Sequence, residues 1–209
     1  MKKKEKIMNK LISFVGVMGS GKDYRAKKYI EENPKTKHIN FADELREMAW
    51  DILGVKFVGE EYDKFKEGTL NFQYFEQYAE DAEQLVTGRE FLQHLGTEAL
   101  RKRDCNFWVK CWVKKVQEAL NDGYDVVCSD LRFDNELRFA LGINYSANLH
   151  TPAVPYFVFC NYISDRYDSI NTHESEQFAQ GLLKAGFEDG QSIDIDYLRN
   201  MMCNCVDLS

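Results

Sequence analysis

Leu11-Ile-Ser-Phe-Val15 runs without a break into Gly16-Val-Met-Gly-Ser-Gly21-Lys22-Asp23. The first five residues form a short apolar run of the kind that makes a strand buried on both faces. From Lys22 onward the apolar residues Ala26, Tyr29 and Ile30 fall at helical spacing, and Asn33-Pro34 closes that helix. The stretch therefore reads strand, glycine loop, helix. In that context G-x-x-x-x-G-K is a phosphate-binding loop. Its glycines at 16, 19 and 21 let the backbone approach an anion, the helix N-terminus adds positive potential, and Lys22 supplies a compact point charge. Asp23 stands where a Ser or Thr would offer a hydroxyl to Mg²⁺. A carboxylate can serve the same ion directly or through water.

Outward from this loop, further short strands are expected at His38–Ala42, Asp125–Ser129 and Pro155–Cys160. Helices are expected from Asp43 to about Leu53, over Phe72–Val86, Arg89–Arg101, Phe107–Leu120 and Thr172–Ala185. Gly54–Asn71 reads as a charged loop, and the last 25 residues show no clear pattern. Short apolar strands alternating with helices imply an α/β fold with a central parallel sheet and helices on both faces. The expected organisation is a single domain spanning 1–209, with an acceptor-binding insertion at about 43–105 and a lid at about 161–173.

The 209 residues include 27 Lys and Arg against 34 Asp and Glu, a formal charge of −7. That balance disfavours non-specific binding to nucleic acid or to an anionic membrane. No apolar run approaches the ~18 residues of a spanning helix. The start MKKKEKIMNK is followed by only five apolar residues and no cleavage-site pattern, so it reads as a solvated tail rather than a leader. None of the six cysteines forms Cys-x-x-Cys, and all are expected to be free thiols in a reducing cytoplasm.

Three further polar blocks carry chemistry. Ser129-Asp130-Leu-Arg132-Phe-Asp134-Asn-Glu136 begins at a strand's carboxyl end, where ligands sit in open parallel sheets. Asp130 there can hold a metal's water shell, Arg132 can reach a phosphate, and Glu136 can orient its neighbours. In Gly88–Glu98, helical spacing puts Arg89, Gln93 and Thr97 on one stripe suited to an acceptor monophosphate and its base. Arg89 is the wrong sign for a first helical turn and so points to an anionic partner. In Asn161–Glu176, Arg166 could supply charge late in a reaction under a closing lid. Arg46, after the second strand, completes the set. Several arginines from different strand ends suit transfer between two phosphates, because the transition state spreads charge over three oxygens.

Together Gly16–Tyr24, Phe41–Arg46, Gly88–Glu98, Ser129–Glu136 and His173–Glu176 resemble blocks of the bacteriophage deoxynucleoside monophosphate kinases. The resemblance spans residues 11 to about 180 and includes the unusual Lys-Asp pair, which is similar to that of animal phosphomevalonate kinases as well. It implies a P-loop kinase fold and Mg²⁺-dependent transfer of the ATP γ-phosphate to a deoxynucleoside 5′-monophosphate. It implies ATP binding by Gly16, Val17, Met18, Gly19, Ser20, Gly21, Lys22, Asp23 and Tyr24, and catalysis by Lys22, Asp130, Arg132 and Arg166. Arg46, Arg89, Gln93, Arg132 and Glu136 are the expected acceptor residues, and Asp23 and Asp130 the expected metal ligands. It also implies a homodimer that handles small nucleotides, in the host cytoplasm if phage-encoded. A kinase of another phosphorylated small molecule and a nucleotide-binding switch or ATPase module stay open as alternatives.

Overall fold

The computed structural model describes residues 9–70, 86–141, 153–160 and 177–204. Within it the chain divides into two compact units. The first comprises Met1–Phe41 and Val109–Ser209, the second Ala42–Trp108. The insertion expected at about 43–105 falls within the second unit.

The first unit is built on a five-stranded sheet of β1 (Asn9–Val15), β2 (Thr36–His38), β5 (Asp125–Cys128), β6 (Ala153–Phe159) and β7 (Ser192–Ile193), in the order β2-β5-β1-β6-β7. All pairings are parallel except that of β7 with β6. The expectation of a parallel sheet thus holds for four strands. The antiparallel β7 lies in the C-terminal stretch that carries no readable pattern, because two residues are too few to show a period.

Side chains alternate across β1. Leu11 and Val15 join Val126, Cys128, Phe157 and Phe159 in a core also lined by Trp112 and Val116 of α5 (Phe107–Asn121). Leu137 of α6 (Asp134–Ala140), Leu182 of α7 (Gln177–Lys184) and Leu198 of α8 (Ile195–Asn204) close that core. Ile12 and Phe14 point the other way and meet Val127, Cys160 and Ala26 of α1 (Lys22–Glu32). Helices therefore cover both faces, which is why Leu11, Ile12, Phe14 and Val15 of β1 are all apolar and buried.

The second strand begins and ends earlier than His38–Ala42. Its ladder partner β5 stops at Cys128, so beyond Ile39, whose N–H reaches the Val127 carbonyl, no strand remains to pair with. Side chains take over. Asn40 Oδ1 accepts the Ser129 N–H at 2.9 Å, and Asp130 Oδ1 accepts the Phe41 N–H at 2.9 Å.

In the second unit, α2 (Ala42–Leu53) and α3 (Glu60–Glu67) pack around Trp50, Phe65 and Phe91. The helix α3 corrects the expected loop at 54–71. Three acids in its first turn and two lysines in its last complement the helix dipole, and Phe65 anchors it against Trp50, ring centroids 5.1 Å apart. The charges that suggested a loop are the exposed face of this helix. A two-stranded pairing of β3 (Thr69–Leu70) with β4 (Val86–Thr87) follows. The helix expected over Phe72–Val86 lies almost wholly outside the described residues, as does the start of the one expected at Thr172. No helix among the described residues is long and apolar enough to cross a membrane.

Candidate functional site

The loop from Gly16 to Gly21 leaves the carboxyl end of β1, the middle strand of the sheet. Strand order reverses here, since β5 lies on one side of β1 and β6 on the other. That crevice is where open α/β sheets place their ligands. Gly16 is wedged in it. A Cβ there would lie 2.1 Å from the carbonyl oxygen of Cys160 and 2.4 Å from Ser20 Oγ. Gly21 takes φ 77° just before α1, a left-handed conformation that a side chain disfavours.

Lys22 is buried, and its ammonium folds back over the loop. Nζ donates to the carbonyls of Gly16 and Val17, both at 2.7 Å. Tyr24, by contrast, is 72% exposed on the first turn of α1.

Beside the loop, polar groups from three elements converge. Ser129 Oγ donates to Asp23 Oδ1 at 2.6 Å, and His38 Nε2 lies 2.9 Å from the same hydroxyl. Register explains the meeting. Ser13 pairs with Cys128, and His38 with Val127, so Ser129 lies one step past the ladder and level with Asn40. Asp130 also accepts from the Cys128 thiol at 3.3 Å. Burial, and then the charge of Asp130, push that thiol well above its usual range, so it stays a neutral donor.

Glu136 is buried, and Oε2 accepts the backbone N–H groups of Arg132 at 2.9 Å and Phe133 at 3.1 Å. Its carboxylate caps the start of α6 and fixes the backbone from which Arg132 springs.

The remaining candidates belong to the second unit. Arg46 pairs with Asp43, and Arg89 pairs with Glu67, so the anionic partner that Arg89 calls for includes a carboxylate of the chain itself. Gln93 is exposed. The helix expected over Arg89–Arg101 is α4 (Gly88–Gln93) followed by a π-helical segment, His94–Arg101. Thr97 therefore lies in a π segment, where the 3.6-residue period no longer applies. Thr87 and Glu90 form a capping box at the start of α4. Arg166 and the expected lid lie outside the described residues.

The residues that sequence reading missed are His38 and Asn40. Their signal was present: polar residues at positions 38 and 40, alternating with Ile39 and Phe41, within the predicted strand His38–Ala42.

Asp23, Asp130 and Ser129 offer hard oxygen donors. Among the described residues no group of three His, Cys, Asp or Glu could hold a metal by itself. One or two carboxylates fit Mg²⁺, which keeps several waters and takes phosphate oxygens. The four cysteines with described side chains, 105, 111, 128 and 160, are free thiols. Compared with known proteins, the chain matches no protein-family model and no curated sequence.

Proposed function

We propose that the chain is an ATP-dependent kinase of P-loop type that transfers the γ-phosphate to a deoxynucleoside 5′-monophosphate, giving ADP and a deoxynucleoside diphosphate. The observation that carries this reading is the closure of Lys22 over its own loop, with Nζ at 2.7 Å from both Gly16 O and Val17 O. A buried ammonium held by neutral carbonyls gains charge-assisted bonds when phosphate oxygens replace them. The loop follows the central strand and precedes a helix N-terminus, the setting that suits a polyphosphate.

Asp23 and Asp130 would hold Mg²⁺ through water or directly. When bound, that ion offsets phosphate charge and lets two carboxylates stand beside a triphosphate. Arg132, on a backbone fixed by Glu136, supplies positive charge to the transferred group. By motif, Arg46 and Arg89 are assigned to the acceptor phosphate and Gln93 to its base. Both arginines now pair with carboxylates in partly exposed positions, where ion pairs contribute little and exchange readily. Arg166 completes the set by motif.

A coupled ADP-release assay over the common deoxynucleoside and nucleoside monophosphates tests the reading. Turnover that depends on a deoxynucleotide is expected. Turnover only with a phosphorylated non-nucleotide would assign another kinase class, and slow hydrolysis indifferent to every acceptor would assign a switch or ATPase.

A further inference from the structure

We infer that Ser129 is a positioning residue for the proposed reaction, holding the carboxylate of Asp23 beside the glycine loop, and that His38 fixes the Ser129 hydroxyl by donating to it from Nε2. The inference deepens the nucleotide-and-Mg²⁺ reading of this site and rests on it.

The direction of each bond follows from counting hydrogens. Ser129 Oγ has one proton and three polar neighbours: Asp23 Oδ1 at 2.6 Å, His38 Nε2 at 2.9 Å and Asn40 Oδ1 at 3.4 Å. The Asn40 atom is the amide oxygen, because it accepts the Ser129 N–H. An ionised carboxylate only accepts. A proton turned toward His38 would leave the hydroxyl oxygen facing a carboxylate oxygen at 2.6 Å with no hydrogen between them. The proton therefore goes to Asp23 in a charge-assisted bond, and the hydroxyl accepts from His38. Nε2 of His38 must carry hydrogen.

The chain of bonds is rigid at its centre and loose at its ends. Ser129 is 1% exposed and its backbone is held by Asn40, whereas Asp23 and His38 both face solvent. Asp23 lies on the first turn of α1, where an unheld side chain would sample several rotamers. Mg²⁺ demands near-octahedral geometry and tolerates a wandering ligand poorly. Anchoring Oδ1 to a buried hydroxyl would restrict the carboxylate's rotamers and leave its other oxygen available to the ion's shell. Residues separated by 106 and 91 positions thus do together what a single hydroxyl does in the usual loop. Partners of this kind commonly affect metal affinity by about 10–100-fold.

Two measurements test this. The first is Mn²⁺ affinity, read by electron paramagnetic resonance, of the full chain with a non-hydrolysable ATP analogue. Ser129→Ala is expected to weaken Mn²⁺ binding by about tenfold or more. Metal-free nucleotide affinity should stay near wild type, and Ser129→Thr should restore most of the loss. Wild-type Mn²⁺ affinity in Ser129→Ala, or no recovery in Ser129→Thr, overturns the role of Ser129 alone. A wild-type protein that binds neither nucleotide nor Mn²⁺ overturns the underlying nucleotide reading as well.

The second is a long-range ¹H–¹⁵N correlation spectrum of the His38 ring in the nucleotide-free protein. Nε2 should be protonated, and its resonance should move in Ser129→Ala. An unprotonated Nε2 removes His38 from the scheme whatever the nucleotide result.

Discussion

The carboxylate of Glu136 accepts the backbone N–H of Arg132 at 2.9 Å while the Glu136 side chain is almost fully buried. One oxygen, shared with the N–H of Phe133, thereby sets where a guanidinium begins. Replacing Glu136 with Ala removes the acceptor from both groups. Hydrogen bonds to a charged partner contribute about 1.5–3 kcal/mol each, so for the two of them a loss of about 3–6 kcal/mol is expected in urea unfolding. Activity per folded molecule should fall as well, because Arg132 loses its fixed origin. A variant of wild-type stability would contradict this account of Glu136.

Glycines at 16 and 181 should respond to alanine with opposite signs. At Gly16 the new Cβ meets backbone of Cys160 at 2.1 Å, and that backbone is pinned by the Cys160 N–H to Val15 O bond at 2.7 Å. Gly16→Ala should destabilise by about 1–3 kcal/mol and impair nucleotide binding. At Gly181, inside α7, nothing among the described residues lies within 4 Å of the added atom. Gly181→Ala should stabilise by about 0.5–1 kcal/mol through helix propensity. Thermal melts of the two variants decide the matter together.

Lys22 and Arg89 separate two kinds of contribution. On the proposed reading, where its charge acts on the transferring phosphate, Lys22→Ala should lower kcat by at least ~10²-fold. Arg89→Ala should raise the acceptor KM instead. It should leave stability within about 0.5 kcal/mol, since its pair with Glu67 is largely exposed. An Arg89→Ala protein with unchanged kinetics would argue for a nucleotide switch without acceptor chemistry.

Cys160 gives a pH test. Burial pushes its thiol up to about 11, with the charges of Arg25 and Lys22 opposing the rise and that of Asp189 adding to it. The folded state therefore favours the neutral thiol. This contribution is fully present below about pH 9 and is lost as pH rises toward 11. Stability of wild type minus that of Cys160→Ala should fall across that window, and exposed Cys105 should be alkylated well before Cys160. A difference that is flat with pH would refute the burial argument.

Local chemistry made part of this molecule legible. A buried strand, a glycine turn and an amphipathic helix announce themselves within 22 residues, because β1 is covered on both faces and α1 ends at Asn33-Pro34. The alternation of strands and helices likewise indicated an α/β sheet, and the polar block at Ser129–Glu136 marked a strand's carboxyl end. What local pattern could not convey was pairing over distance. The helix α3 hides under surface charge because a single buried phenylalanine, Phe65, decides it. Arg89 has Glu67 as a neighbour only through packing, and no local pattern marks the π segment His94–Arg101. The meeting of Asp23, His38, Asn40 and Ser129 depends on strand order and register, which place residues about a hundred positions apart within hydrogen-bonding reach. Composition and periodicity act over a few residues, so they determined the elements and the glycine loop. Only the folded sheet, by aligning the ends of its parallel strands, decided which side chains share a proton.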